Sequence, residues 1–170
     1  DIGNTLAKLL KSLNMYVIGV KRKMVDKPDY IDELYLNDDM EKAISNVDVV
    51  VTLLPGNKEN VHLFTLDTFK AMASDTILIN AGRGSLYSEE VLKEVLDNHI
   101  IEAIGMDVFE NEPVSADSPL WDYDNLLITP HVAGFFHLDS AKDKYLDLVE
   151  ENLRRYCQHE TLLNVVDDRE

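Results

Sequence analysis

Three predicted strand ends carry side chains that could act on a small anionic substrate. The segment Asn80–Gly84, which reads NAGRG, follows an apolar run and sets Arg83 between two glycines. Glu112 and His131 follow two later apolar runs. The carboxyl ends of parallel strands meet at one edge, where open α/β sheets bind ligands, so we expect these three side chains to share that edge. A surface arginine, a loop acid and a core histidine are the plainer interpretations one by one, but their coincidence favours a site.

A second group of residues has the spacing of a dinucleotide site. Asp1-Ile2-Gly3 opens a helical pattern and is compatible with the end of G-x-G-x-x-G, whose glycines let the backbone approach a pyrophosphate. A plain glycine at a helix start is the alternative. About 20 residues further on, where an acid would hold an adenosine ribose, the chain has Lys21 and Arg22. Cations there favour a ribose 2′-phosphate, whereas a solvated basic turn is the alternative.

Strand and helix patterns alternate along the chain. Strands are predicted at 15–20, 33–36, 47–54, 76–80, 100–106 and 125–129, and helices at 4–13, 38–45, 66–72, 88–97 and 139–156. This alternation predicts an α/β fold with a parallel, doubly wound sheet. The near-continuous apolar run at 47–54 is typical of a strand covered on both faces.

The last predicted helix is amphipathic. Its Tyr145, Leu148, Val149 and Leu153 are expected to face inward, with Glu150/Arg154 and Glu151/Arg155 as outer i,i+4 pairs. The tail from Leu162 to Val166 is predicted to be a docking strand.

The charge and cysteine content exclude some partners. The chain has 16 basic and 32 acidic residues, a net charge of −16, which opposes binding to nucleic acid or anionic membranes. Its one cysteine, Cys157, cannot form an internal disulfide, and no signal peptide or membrane span is evident, so a cytoplasmic location is expected. We assign no metal site.

The three strand-end motifs also carry a family resemblance. The segments NAGRG at 80–84, DVFENEP at 107–113 and TPHVAG at 129–134 resemble, in order and spacing, the signatures of the D-isomer-specific 2-hydroxyacid dehydrogenases. The glyoxylate and hydroxypyruvate reductases are the most similar subgroup. The resemblance implies hydride transfer between a nicotinamide cofactor and a small 2-keto or D-2-hydroxy acid. It assigns proton donation to His131, orientation of that imidazole to Glu112 and binding of the substrate carboxylate to Arg83.

The resemblance implies cofactor contacts at the same edge. They are Ile2 and Gly3 at the pyrophosphate, Leu54, Pro55 and Asn60 on the adenosine side, Ala81 and Gly134 in the nicotinamide pocket, and Asp107 near the carboxamide, with Arg83 and His131 bordering the cofactor. Because Lys21 stands where most members have an acid, we expect NADP(H) to be favoured, with NAD(H) possible.

The resemblance also predicts how the chain is organised. Residues 1–137 are expected to form a Rossmann-type cofactor domain without its first strand and without the upstream substrate domain of the family. Residues 138–170 are expected to be a helix and tail that pack toward that other domain. The intact protein is expected to be a homodimer, and these 170 residues alone are expected to be inactive.

Two other functions are compatible with the predicted fold. A catalytically silent, redox-sensing regulator of the corepressor type is the main alternative, since fold does not imply activity. A methyltransferase of the same fold is disfavoured because methyl transfer does not require an Arg/Glu/His set.

Overall fold

Helices and strands alternate as the sequence predicts. The computed structural model describes residues 2–23, 25–134 and 138–165. The elements there are α1 (Ile2–Ser12), β1 (Ile18–Lys21), β2 (Glu33–Leu36), α2 (Met40–Ile44), β3 (Val49–Thr52), α3 (Leu66–Lys70), β4 (Ile77–Asn80), α4 (Glu89–Asp97), β5 (Ala103–Met106), β6 (Leu126–Ile128) and α5 (Asp139–Cys157). Short 3₁₀ turns lie at Asn37–Asp39, Gly84–Leu86 and Pro119–Asp122.

The strands are parallel and divide between two sheets. One sheet pairs β1 with β2, and the other has the order β3-β4-β5-β6. In the second sheet Val49 pairs with Ile77, which pairs with Ala103, so the carboxyl ends of β3, β4 and β5 align. The predicted α/β fold of parallel strands is confirmed. However, β1 and β3 are edge strands of separate sheets and do not pair with each other.

The main core lies on one face of the four-stranded sheet. Phe69 of α3 and Leu96 of α4 pack against Leu78 and Ile104 of the sheet, and all four are at most 1% exposed. Each such side chain contributes about 1.5–3 kcal/mol through burial. The core therefore fixes β4 and β5, the strands that precede the arginine and acid motifs.

The opposite face of this sheet is partly open. Val49, Ile77 and Ile79 are 39%, 39% and 41% exposed, so the prediction that the run at 47–54 is covered on both faces is wrong. The buried Ala7 of α1 packs in a separate cluster with Val17 and Ile31, beside the β1–β2 pair.

Hydrogen bonds explain two element boundaries. The Asp32 carboxylate accepts from the Val17 backbone N–H at 2.8 Å and from Lys11 Nζ at 2.5 Å, so Val17 precedes β1 instead of joining it. The predicted N-cap of α4 is confirmed, because Ser88 Oγ accepts from the Val91 N–H at 3.3 Å.

The chain divides into two compact units, Asp1–Thr129 and Pro130–Glu170, each with most of its contacts within itself. The boundary thus follows Thr129, whereas the sequence placed it after residue 137. Across 2–23, 25–134 and 138–165, no helix combines the length and apolar character needed to cross a membrane.

The second unit contains α5 and the tail. None of the described α5 residues is buried, and Tyr145 and Leu153 are 52% and 61% exposed, so the described residues do not cover the face that was expected to lie inward. Residues 162–165 form no strand, which corrects the predicted docking strand, and Val166 lies outside the described residues. The Asn152 side chain holds this tail by accepting from the Leu163 N–H at 2.8 Å and donating to its carbonyl at 3.1 Å.

Ion pairs cover one side of α5. Arg155 donates to Glu151 at 2.6 Å, as the i,i+4 pattern predicts, and Arg154 bonds both Glu151 and Glu160. The two guanidinium groups, that of Arg154 first, lower the pKa of Glu151 to about 2.

Candidate active site

The turn after β4 is built by close backbone packing. A Cβ on Gly82 would lie 2.8 Å from the Leu54 backbone nitrogen, and one on Gly84 would lie 1.9 Å from the Phe109 carbonyl carbon. Only glycine fits at either position, although neither residue has a positive φ. The two glycines therefore lock the turn between the segments that follow β3 and β5, and Arg83 is held between them.

A buried amide organises the same turn. The Asn80 side chain is 0% exposed; its Oδ1 accepts from Thr52 Oγ1 at 3.0 Å and from the Gly82 N–H at 3.1 Å. Its Nδ2 donates to the Arg83 carbonyl at 3.1 Å and to the Tyr87 hydroxyl oxygen at 3.3 Å. Burial raises the pKa of Tyr87 despite the opposing hydrogen bond from Asn80, so the phenol stays neutral at ordinary pH.

The Arg83 side chain extends from this turn into solvent. Its Nη1 donates to the Gly82 carbonyl at 2.8 Å, and its Cγ lies 3.1 Å from the position that a Cβ on Gly56 would take. The guanidinium is thus an exposed cation at the carboxyl edge of the sheet, with its stem packed along the loop after β3. A planar guanidinium is suited to bidentate binding of a carboxylate.

Asp107 and Glu112 lie on the loop after β5. Asp107 is 7% exposed; its N–H donates to the Asn80 carbonyl at 3.0 Å, and its Oδ1 accepts from Thr129 Oγ1 at 2.6 Å. The exposed Glu112 accepts from the Phe109 N–H at 2.8 Å. The segment that leads to Glu112 therefore packs against the turn that carries Arg83, through the contact of Gly84 with the Phe109 backbone.

His131 and Gly134 belong to the second unit, which begins at Pro130. His131 is partly buried and has a φ of 54°, in the left-handed region. Gly134 is exposed, and no atom lies within 4 Å of the position for a Cβ. The backbone turns sharply at His131, directly after Thr129-Pro130.

The residues predicted to contact phosphate lie at strand and helix ends. α1 begins at Ile2, and a Cβ on Gly3 would lie 4.0 Å from a methyl of Leu53, at ordinary contact distance. The described chain therefore places no steric requirement for glycine at this position. A helix N-terminus beside the carboxyl end of β3 nevertheless provides backbone N–H groups and a dipole suited to a pyrophosphate.

The basic turn has a partner that the sequence did not reveal. Lys21 ends β1, and the next residue, Arg22, forms an exposed ion pair with Glu59 at 2.9 Å. Glu59 belongs to the loop after β3, which also carries Leu54, Pro55 and Asn60. A carboxylate thus lies beside the cation predicted to bind a 2′-phosphate.

The loop after β3 is tied by its own side chains. Asn60 Nδ2 donates to the Pro55 carbonyl at 2.9 Å, while the Asn60 N–H donates to Asn57 Oδ1 at 2.9 Å. Ala81 continues the sheet pattern by donating its N–H to the Thr52 carbonyl at 3.2 Å. The first unit therefore brings Leu54, Ala81, Arg83 and Asp107 to one edge.

Sequence reasoning missed the residues that hold this edge in place. They are Thr52, Asn80, Tyr87, Glu59, His62 and Glu110. An asparagine at the end of an apolar strand was a usable signal for Asn80, because a buried amide needs several partners. In the described part of the chain, no three His, Cys, Asp or Glu side chains are grouped to hold a metal ion.

Comparison with known proteins gives the family. Residues 1–133 match the model of the D-isomer-specific 2-hydroxyacid dehydrogenase NAD-binding domain. A glyoxylate/hydroxypyruvate reductase B of Salmonella paratyphi B is 36% identical over 125 residues, which are 70% of this chain and 39% of that protein. The chain thus spans about two-fifths of the length of the curated relatives it matches.

Solved structures agree with this match. A D-isomer-specific 2-hydroxyacid dehydrogenase family protein of Aeromonas salmonicida is 34% identical, with a TM-score of 0.87 over 98% of this chain and 52% of that one. An NADPH-dependent glyoxylate/hydroxypyruvate reductase of Sinorhizobium meliloti, solved with NADP and sulfate, is 29% identical, with a TM-score of 0.86 over 97% of this chain and 52% of that one. Sequence and fold together place this chain in the family of the D-isomer-specific 2-hydroxyacid dehydrogenases.

Proposed function

We propose that the full-length protein transfers a hydride between a nicotinamide cofactor, NADP(H) in preference to NAD(H), and a small 2-keto or D-2-hydroxy acid. The observation that carries this proposal is Arg83, an exposed cation locked between two glycines at the carboxyl edge of a parallel sheet. The similarity of the chain to glyoxylate/hydroxypyruvate reductases supports a small 2-keto or D-2-hydroxy acid as the substrate. The relatives named for this chain are reductases and dehydrogenases, so they give no support to a catalytically silent, redox-sensing regulator.

The chain's own residues fit a dinucleotide along this edge. The start of α1 would face the pyrophosphate, Lys21 and Arg22 the adenosine end, and Ala81 and Asp107 the nicotinamide end. A reduced nicotinamide bound there would supply the hydride for the carbonyl carbon. Parallel pairing fixes the registers of β4 and β5 and so aligns Ala81 with Asp107 at the ends of these strands.

Three side chains are assigned to substrate binding and proton transfer. Arg83 binds the substrate carboxylate and draws electron density from the adjacent carbonyl. His131 donates the proton that the carbonyl oxygen acquires during reduction, since imidazole changes charge near neutral pH. Glu112 orients the His131 ring through a hydrogen bond to its other nitrogen.

Replacement of His131 tests this proposal. In the full-length protein, His131→Ala should reduce kcat for glyoxylate or hydroxypyruvate by about 10²–10⁴-fold, the usual contribution of a general acid, while NADPH still binds. Absorbance of the reduced nicotinamide follows turnover, and fluorescence titration follows binding. Unchanged turnover in the variant would contradict the role of His131, and no turnover of any 2-keto acid by the wild type would contradict the function.

The cofactor preference leads to a separate prediction. Arg22→Ala should lower NADPH affinity by about three- to tenfold with little effect on NADH, because it removes a cation from the 2′-phosphate. Glu59→Gln should do the reverse and raise NADPH affinity, since it frees Arg22 and removes a repelling carboxylate. Dissociation constants for both cofactors, with exposed Glu41→Gln as the control, measure the effect. Equal changes for NADPH and NADH would exclude a 2′-phosphate role for this pair.

Organisation and assembly are part of the proposal. Residues 1–137 act as the cofactor domain, and 138–170 pack toward a substrate domain in the full-length protein. That protein is a cytoplasmic homodimer, which light scattering coupled to size-exclusion chromatography would test.

A further inference from the structure

A short strap, residues 62–64, runs along the outside of the Arg83 turn. The His62 N–H donates to the Ser85 carbonyl at 2.8 Å, and the Phe64 N–H donates to the Leu86 carbonyl at 3.0 Å. Phe64 is 3% exposed and anchors the strap in the core. The strap therefore supports the turn from the side of the loop after β3.

The side chain of His62 reaches across the turn to the loop after β5. Its Nε2 lies 2.7 Å from Glu110 Oε1, and the two side chains are 48% and 31% exposed. The other oxygen of Glu110 accepts from the Glu89 N–H at 3.3 Å, at the start of α4. Glu110 thus joins the strap, its own loop and the helix that follows the turn.

The Arg83 turn is enclosed by this bridge. Gly84 lies against the Phe109 carbonyl, directly before Glu110, and Ser85 is bonded to the strap. Movement of Glu110 away from His62 would release the loop that backs Gly84. The exposed Arg83 guanidinium depends on that backing, since its own bond within the turn is to the neighbouring Gly82 carbonyl.

We propose that His62 and Glu110 are positioning residues whose bridge across the turn holds Arg83 in the geometry that binds the substrate carboxylate. The inference rests on the proposed function, because it assumes that Arg83 binds that carboxylate. In this proposal the bridge contacts neither the substrate nor the cofactor. Loss of the bridge should therefore weaken carboxylate binding while leaving dinucleotide binding intact.

Oxamate, a carboxylate-bearing analogue of a 2-keto acid, is the probe. In the full-length protein with saturating NADPH, His62→Ala and Glu110→Ala should each raise the inhibition constant of oxamate by about three- to tenfold, as expected for loss of one partly exposed hydrogen bond to a charged group. The dissociation constant of NADPH should change by less than about twofold. The double variant should be no weaker than either single variant, since both remove the same bridge.

Two further variants separate positioning from general destabilisation. His62→Gln keeps an N–H donor for Glu110 and should restore most of the oxamate affinity. His99→Ala is the matched control, because His99 is also an exposed histidine with a positive φ, 47° against 52° for His62. It should leave the inhibition constant unchanged.

The results of these measurements test the positioning role of the bridge separately from the proposed reductase function. Wild-type affinity for oxamate in both single variants, in a protein that still reduces 2-keto acids, would overturn the inference alone. Parallel loss of NADPH binding would also overturn it, by showing a general structural role. A wild-type protein that neither binds oxamate nor reduces a 2-keto acid would overturn the proposed function and the inference with it. Glu110→Ala removes the same bridge from its other end and keeps the test decisive if His62→Ala fails to fold.

Discussion

At the scale of single residues, a buried amide sets the place of an exposed cation. Asn80 bonds the Gly82 N–H and the Arg83 carbonyl, so it defines the backbone on both sides of the Arg83 nitrogen. Its contacts with Thr52 and Tyr87 connect that backbone to the core. The arginine therefore needs no buried contact of its own and remains available to a ligand.

Removal of the Asn80 side-chain amide should destabilise the fold. Asn80→Ala would leave buried polar groups of Thr52, Gly82 and Tyr87 without their partner, and we expect a loss of about 2–4 kcal/mol in the free energy of unfolding. Urea denaturation followed by circular dichroism measures it. The exposed Asn98, which bonds the Glu94 carbonyl, is the control, and Asn98→Ala should cost less than about 1 kcal/mol. Equal losses in the two variants would contradict this role of Asn80.

At the scale of elements, the segments after β3, β4 and β5 pack backbone against backbone. Gly82 contacts the segment after β3, and Gly84 contacts the segment after β5. The sequence predicted which strands end at this edge but not this layering, because close approach depends on the space between neighbouring strands. The steric requirement at Gly84 is therefore a property of the assembled sheet.

A methyl group at Gly84 should show that requirement. We expect Gly84→Ala to lower the free energy of unfolding by about 2–4 kcal/mol, because the added Cβ would meet the Phe109 backbone rather than a movable side chain. Gly105→Ala is the control, since its Cβ would lie 4.0 Å from its nearest neighbours and should cost less than about 1 kcal/mol. Thermal unfolding of both variants provides the comparison, and a neutral Gly84→Ala would contradict the packing.

The attachment of α1 to the β1–β2 pair should depend on pH. The hydrogen bond from Lys11, followed by that from the Val17 N–H, lowers the pKa of Asp32 from its ordinary value of 3.8. A lowered folded-state pKa means that the ionised carboxylate stabilises the fold above about pH 4 and that this contribution is lost as the pH falls through the folded value.

Asp32→Asn should therefore reduce Tm at neutral pH, with a difference from wild type that shrinks as the solution is acidified below about pH 4. The exposed Asp29→Asn is the control and should show a smaller difference at neutral pH. Thermal unfolding across the pH range measures both variants. A difference that grows on acidification would contradict the sign of the shift.

At the scale of the whole chain, charge is the dominant feature. A net charge of −16 on 170 residues favours solubility, but the excess acidic side chains repel one another in the compact state. Some basic side chains form ion pairs with nearby acids, such as Lys11–Asp32 and Arg155–Glu151. Arg83 is an exposed cation on this acidic chain.

Screening of this repulsion should stabilise the chain. Raising NaCl from about 20 mM to about 0.3 M should increase Tm by about 2–5 °C, because the Debye length falls below the spacing of most like charges. Scanning calorimetry at constant pH measures the change. A lower Tm at high salt would mean that the local ion pairs outweigh the net repulsion.

The fold class, the order of the elements and the residue types at the strand ends could all be predicted from the sequence alone. These follow from hydrophobic periodicity and from short motifs, which are local properties of the chain. Tertiary structure decided the rest: the separation of β1–β2 from β3–β6, the open face of the larger sheet, the exposure of α5, and the groups around Arg83. Asn80, His62 and Glu110 act through partners on other strands and loops, so their roles exist only once the parallel strands have aligned their carboxyl ends.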